Sequence, residues 1–249
     1  MNKPPSIRKR QTSGKSASYG ETAYVRLKQA IQDGVFKPGQ PIRESRVADW
    51  LAIRRTPVRD AIRRLQNEGL LSYRLNDGVV VATLGREDVL NIYAVREVLE
   101  GAAAGMAARH ASEVEIEALR GVLKASTRTK DPKEIAELNF RFHAVIHQAS
   151  RNPYLTRTIN TFRESLALLG APTTVLPGRP REVDRAHAEI LQAIEKRDAM
   201  AAETAMRSHV RSALLRRFEL LGQPEAATVQ GVTYPMTGVT DTRKPRARR

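Results

Sequence analysis

The stretch from Glu44 to Gly69, ESRVADWLAIRRTPVRDAIRRLQNEG, constrains the chain more than any other, because it reads as a helix, a tight turn and a second helix. In the second helix Val58, Ala61, Ile62 and Leu65 recur at the i, i+3, i+4, i+7 spacing of one buried face. Thr56 is placed to cap its start, and Pro57 suits the first helical position, where a missing N–H costs nothing. The remaining face is basic: Arg54 and Arg55 sit in the turn, and Arg59, Arg63 and Arg64 project from the helix. A helix N-terminus already favours phosphate, and arginine forks match guanine edges, so this is a helix built to enter a DNA major groove. A plain amphipathic helix with a solvated charged face carries the same pattern, and the flanking segments decide between the two.

Before this stretch, Ala23 to Asp33 carries Tyr24, Leu27 and Ile31 at helical spacing, and is ended by Gly34 and a Lys37-Pro38-Gly39 turn. After it, Leu70 to Arg74 and Val79 to Thr83 are two short β-type runs joined by Leu75-Asn76-Asp77-Gly78. Asp-Gly between apolar runs is a hairpin signal. Three helices and a hairpin make a winged helix-turn-helix.

Gly34, Pro38-Gly39, Glu44, Val47-Ala48, Arg55-Thr56-Pro57-Val58-Arg59, Leu65, Glu68-Gly69-Leu70 and Gly78 follow one another in a fixed order. In these marks the segment resembles the DNA-binding domain of the GntR superfamily of bacterial transcription regulators. The resemblance implies DNA contacts from Arg55, Thr56 and Arg59, with Gly78 at the wing tip. The chain departs from the pattern in three places: Ser45 stands where relatives often carry a DNA-contacting arginine, with Arg46 beside it; Ala52 replaces the usual turn glycine; and Arg54, a further phosphate contact, replaces the usual serine. The expected DNA-binding set is therefore Arg46, Arg54, Arg55, Thr56, Arg59, Arg63 and Gly78.

Charge supports that assignment. The chain of 249 residues, long enough for two domains, carries a net +15. Residues 1–82 hold 16 Lys/Arg against 7 Asp/Glu, whereas residues 83–221 hold 21 against 18. The basic excess lies with the helix-turn-helix, and binding through it should depend strongly on salt. With no cysteine, disulfides, thiolate metal sites and cysteine nucleophiles are excluded, and a reducing cytoplasmic setting is expected. No apolar run is long enough for a membrane span or a signal peptide. Residues 1–19 and 222–249 are rich in polar and basic residues and are expected to be disordered arms.

From residue 86 to 221 the patterning is helical throughout. Expected helices run from Glu87 to Arg109, with Gly101 and Gly105 permitting close helix approach, then Ser112 to Ser126, Pro132 to Ser150, Asn152 to Leu169, Val183 to Lys196 and Ala199 to Leu221. The segment GAPTTVLPGRPRE is expected to be irregular. The fold class is mainly α: a winged domain at 20–83 and an antiparallel six-helix bundle at 86–221.

The chemistry of the bundle lies in its histidines. His143, His187 and His209 fall on the third, fifth and sixth bundle helices, and Asn139 precedes His143 by four residues on one face, so the two can share a cation. Any one of them alone reads more often as a hydrogen-bonded core histidine than as a ligand, and spacing does not join three helices into one site. The pattern Asn139-x-x-x-His143, Ala186-His187 leading into Ile190-Leu191, and Ala205-Met206-x-x-His209, with Arg96, Leu99, Glu100 and Asn152, is similar to the FCD ligand-binding domain of the FadR branch, in its six-helix VanR form. That resemblance implies a divalent metal on Asn139, His143, His187 and His209. Asparagine stands where aspartate is usual, which removes one negative charge and favours an imidazole-preferring ion, zinc or nickel. An organic-acid effector would complete the shell, with Arg96 as a second partner unless a salt bridge to Glu100 occupies it. His147 shares the face of His143, and His110 near a helix end reads as structural.

The function expected is a ligand-responsive transcription regulator, most often a repressor in this family, binding a palindromic operator as a homodimer. A ligand-blind DNA binder whose bundle only dimerises is the alternative. A metal-dependent enzyme would need a carboxylate placed as general base, and no motif places one.

Overall fold

The computed structural model describes residues 13–169, 172–222, 228–229 and 232–233. The helix-turn-helix is α1 (Ser13–Gln32), α2 (Glu44–Leu51) and α3 (Arg55–Asn67), followed by the antiparallel wing β1 (Leu71–Arg74) and β2 (Gly78–Val81). Its core is the predicted apolar face: Leu27 of α1, Val58 and Leu65 of α3, and Leu70 are wholly buried. Each such side chain contributes about 1.5–3 kcal/mol by leaving water. Tyr24 donates to Glu68 at 2.9 Å, Lys28 reaches the same carboxylate at 3.0 Å, and the Arg64 guanidinium lies 3.4 Å over the Tyr24 ring. Arg64 thus fastens α3 to α1 instead of joining the outward basic face.

The start of α3 differs from expectation. Its N-cap is Arg54 with no side-chain cap bond, so Thr56 is the second helical residue and not the cap. Pro57 is then third, where its missing N–H still removes no intrahelical bond. Between α2 and α3, Ala52 takes a left-handed φ of 54°, the conformation a turn glycine would adopt freely. The wing closes through three residues, Leu75 to Asp77, because Arg74 pairs directly with Gly78; Asn76 and Gly78 both have positive φ. Pro41 bridges to Val80, adding a short third edge to the wing.

The bundle consists of α4 (Arg86–His110), α5 (Glu113–Ser126), α6 (Pro132–Ala149), α7 (Pro153–Ala167), α8 (Arg179–Glu195) and α9 (Ala199–Leu220). Its helix starts are cap-determined: Ser112 and Glu115 form a capping box on α5, Asp131 with Pro132 opens α6, Asn152 with Pro153 opens α7, and Asp198 caps α9. Helix α4 is central, packing against α6, α7, α8 and α9. Ala103, Ala104, Ala107 and Ala108 are wholly buried on it, and a Cβ at Gly105 would stand 3.1 Å from the Ala199 carbonyl oxygen. The glycine is there because α9 leaves no room for more. Among the described residues no helix is long and apolar enough to cross a membrane.

Three boundaries move. Helix α1 begins at Ser13, so residues 13–19 are helical where an arm was expected; residues 1–12, including the basic run Arg8 to Arg10, lie outside the described part. Helix α8 begins at Arg179, four residues before Val183, because Pro180 fits its first turn; ahead of it Thr173–Val175 forms a 3₁₀ turn within the segment expected to be irregular. Beyond Gly222, where only a tail was expected, the described residues pair as β3 (Thr228–Val229) and β4 (Val232–Thr233). The two domain cores also touch: Leu168, just past α7, is buried in the core of the winged domain, and Leu84 packs against both cores.

Candidate nucleic-acid interface and metal centre

Arg55, Arg59 and Arg63 repeat every four residues along α3 and are all exposed, as are Arg54 and Thr56 at its start and Arg46 on α2. Arg55, Arg59 and Arg63 form one stripe on the side of α3 turned away from its buried residues. Arg59 is the tethered member: its Nε and Nη2 donate to Glu44 at 3.0 and 3.1 Å, and that pairing holds the Glu44 carboxyl below the usual carboxylate range. Gly78 is partly buried at the tip end of the wing, where β2 leaves the turn opposite Arg74, and the exposed large apolar residues there are Tyr73 and Leu75, 72% and 79% exposed. Neither was singled out from the sequence, where the β-type run of Tyr73 reads like any half-buried strand.

In the bundle, three helices bring His143 (α6), His187 (α8) and His209 (α9) together, each buried, with a ring nitrogen of each within 4.8 Å of the others. His143 Nε2 and His209 Nε2 stand 3.2 Å apart. Two imidazole nitrogens each about 2.1 Å from one tetrahedral ion stand about 3.4 Å apart, so the pair is spaced for a shared metal. Phe142 stacks on the His187 ring with centroids 3.9 Å apart and planes 7° from parallel, which fixes its orientation. Asn139 lies one turn before His143, half-buried.

A fourth group was missed. Glu100 of α4 is 1% exposed, and its Oε2 stands 2.8 Å from His143 Nδ1 while its Oε1 accepts from Arg96 Nε at 2.7 Å. His147 Nε2 lies 3.9 Å from the same Oε2. Burial opposes ionisation of Glu100, yet the Arg96 charge, the His143 ring 2.8 Å away and the nearby His147 hold its carboxyl well below the usual range. The Arg96–Glu100 salt bridge read from their four-residue spacing is therefore present; nothing in that spacing points onward to His143 on another helix.

Burial, the other histidines and Arg179 push His187 well below the ordinary imidazole value, Glu100 opposing. His209 is pushed down the same way, by burial first and then by His143 and Arg179. A lowered imidazole pKa favours the neutral ring, the form that ligates metal. His187 Nε2 and His209 Nδ1 are buried without a hydrogen-bond partner. Buried orphan nitrogens on neutral, convergent imidazoles, with a carboxylate orienting one of them, fit a divalent ion. His110, the last residue of α4, is exposed and outside the cluster.

Comparison with known proteins agrees with both halves. Residues 20–81 match the model for bacterial regulatory proteins of the gntR family, and residues 91–212 match the FCD domain. Over 187 residues the chain is 32% identical to a probable D-xylose utilization operon transcriptional repressor of Paenarthrobacter nicotinovorans, covering 72% of this chain and 80% of the relative. It is 29% identical over 190 residues to the HTH-type transcriptional regulator YdhC of Bacillus subtilis, covering 75% and 85%. Among solved structures, E. coli McbR/YncC has the same fold, with a TM-score of 0.66 at 21% identity over 82% of this chain and 98% of that one.

Proposed function

Since the chain belongs to the GntR family of bacterial transcription regulators and carries an FCD domain, we propose that it represses transcription from a palindromic operator as a cytoplasmic homodimer and responds to a small organic acid. Residues 20–83 act as the DNA-reading unit and residues 86–221 as the sensing and dimerising unit. Arg54, Arg55, Thr56, Arg59 and Arg63 enter the major groove, with Arg46 on the backbone and the wing, from Gly78, alongside. One winged helix spans too few base pairs for useful specificity, so two copies on matched half-sites are needed. Repression follows the relative from Paenarthrobacter nicotinovorans, whose name is that of a repressor.

The observation that carries the sensing half is the convergence of His143, His187 and His209 with Glu100 behind His143. These three imidazoles, with the Asn139 amide, would hold zinc or nickel, which when bound supplies an open position for a carboxylate. Glu100 keeps the Nδ1 proton of His143, and so directs its Nε2 inward. Arg96 is engaged by its salt bridge to Glu100 at 2.7 Å, so its part in the effector site is to hold that carboxylate in place. For the acid to switch the protein it must bind one arrangement of the DNA-reading domains more tightly than the other.

Elemental analysis of untagged protein, paired with a thermal-shift screen of small carboxylic acids before and after chelation, tests the reading. About one metal per chain and an acid that stabilises only the metal-loaded form are the expected results. Metal-free protein unmoved by any acid would leave the bundle a dimerisation scaffold and the chain a ligand-blind DNA binder.

A further inference from the structure

Beside the histidine cluster lies a second buried cation that the metal reading does not use. Arg179, the first residue of α8, is 2% exposed. Its Nη1 donates to Ser212 at 2.8 Å and to Glu182 at 3.2 Å, while its Nε is buried with no hydrogen-bond partner. Glu182 is a poor counter-charge because it is shared. Arg216 holds it through Nε at 3.2 Å and Nη2 at 2.6 Å, so one carboxylate serves two guanidinium groups. Burying an arginine without a full counter-charge is costly, and an anion arriving there would relieve the cost.

The location ties this group to the metal ligands. Ser212, on which Arg179 rests, follows His209 by three residues on α9, which is about 4.5 Å along the helix axis. The 3₁₀ turn Thr173–Val175 packs across α6, α8 and α9, the three helices that carry the cluster. It brings in Thr174, whose hydroxyl is also buried without a hydrogen-bond partner. An unsatisfied guanidinium N–H and an unsatisfied hydroxyl are the donors that a second carboxylate would use. Burial depresses the Arg179 pKa, with Arg216 adding to the effect against Glu182, consistent with a cation lacking its full partner.

We infer that Arg179 and Thr174 form an anion subsite next to the His143–His187–His209 centre, so that the effector is a short dicarboxylate with one carboxylate toward the metal and the other on Arg179. This rests on the proposed metal-dependent sensing and narrows it to a class of ligand: a monocarboxylate would leave the arginine unanswered.

Isothermal titration of metal-loaded, full-length protein with succinate and with butyrate tests it, since the two differ chiefly in the second carboxylate. Succinate should bind wild type at least tenfold tighter than butyrate. Arg179→Met, checked for metal content and cooperative melting, should abolish that preference, Thr174→Val should reduce it severalfold, and Arg179→Lys should keep part of it. If Arg179→Met folds poorly, the Thr174→Val and Arg179→Lys comparisons decide alone. Butyrate binding that requires metal, with no advantage for succinate, would overturn the subsite and leave the sensing reading intact. Metal-loaded protein that binds neither acid overturns both, and an unchanged succinate preference in Arg179→Met or Thr174→Val assigns the second carboxylate elsewhere.

Discussion

Arg59 on the exposed basic stripe of α3 is held in a forked pair by Glu44 of the preceding helix, through Nε at 3.0 Å and Nη2 at 3.1 Å. Both ends are substantially exposed, so the pair contributes little to stability. On the proposed reading its effect is on DNA binding, with the carboxylate aiming the guanidinium and also competing for it. Arg59→Ala should weaken binding to duplex DNA by about 1–3 kcal/mol if Arg59 reads a base. Glu44→Gln releases the fork for phosphate and should steepen the salt dependence on a random-sequence duplex by about one counterion. Fluorescence anisotropy across a salt series measures both. A Glu44→Gln protein with the wild-type slope would show that Arg59 never leaves its partner.

Glu100 sits between Arg96 and His143, and removing its charge should be felt on both sides. Glu100→Gln leaves a largely buried guanidinium unpaired, a loss of about 3–5 kcal/mol. It also removes the group orienting His143, lowering metal affinity by about tenfold to a hundredfold. Competition against a chromogenic chelator reads the second effect separately from the melting temperature. Metal affinity unchanged in Glu100→Gln would mean that His143 is oriented by packing alone.

Ala52 holds a left-handed conformation in the turn of the helix-turn-helix. Such a backbone costs an L-residue about 1–2 kcal/mol, which glycine does not incur. Ala52→Gly should therefore raise the melting temperature of the winged domain, an uncommon direction for a glycine substitution. Calorimetry of the two proteins decides it, and a lower melting temperature would show the strain to be absent.

Glu115 closes the capping box of α5 with Ser112 and also pairs with Arg151 at 2.7 Å. Burial is the largest single influence and raises its pKa, but the Ser112 hydrogen bonds and Arg151 together outweigh it and hold it below the ordinary glutamate value of 4.5. A depressed folded-state pKa means stability that is fully present above pH 4.5 and lost as the pH falls through the folded value. Glu115→Gln should cost about 1 kcal/mol at neutral pH, and the gap to wild type should close on acidification. A gap that stays constant down to pH 3, or about there, would locate the stabilisation in packing instead.

Much of this was legible in the residues because helices announce their own ends. Ser112, Asp131-Pro132 and Asn152-Pro153 each mark a helix start by satisfying or removing an orphan N–H, and the structure places the helices there. Gly105 declared a close approach, though not that α9 would make it. What periodicity withholds is the partner of a face. The Glu100–His143 and Arg59–Glu44 contacts join different helices, and the start of α8 at Arg179 was hidden because Pro180 looked like part of a loop. The same limit concealed the Arg179–Ser212 contact, which depends on how α8 leans on α9.

Leu168 is contributed by the bundle yet is buried among Leu27, Leu65 and the other apolar residues of the winged domain. Regulators assembled from interchangeable parts are expected to survive transplantation of either part, and this chain should resist it. A chimera carrying residues 1–84 on a foreign sensor would keep a vacant socket in the borrowed reader unless its host offered a leucine at the same place. The border between the halves is therefore a plug and socket as well as a linker, and compatibility there constrains which sensors and readers can exchange partners.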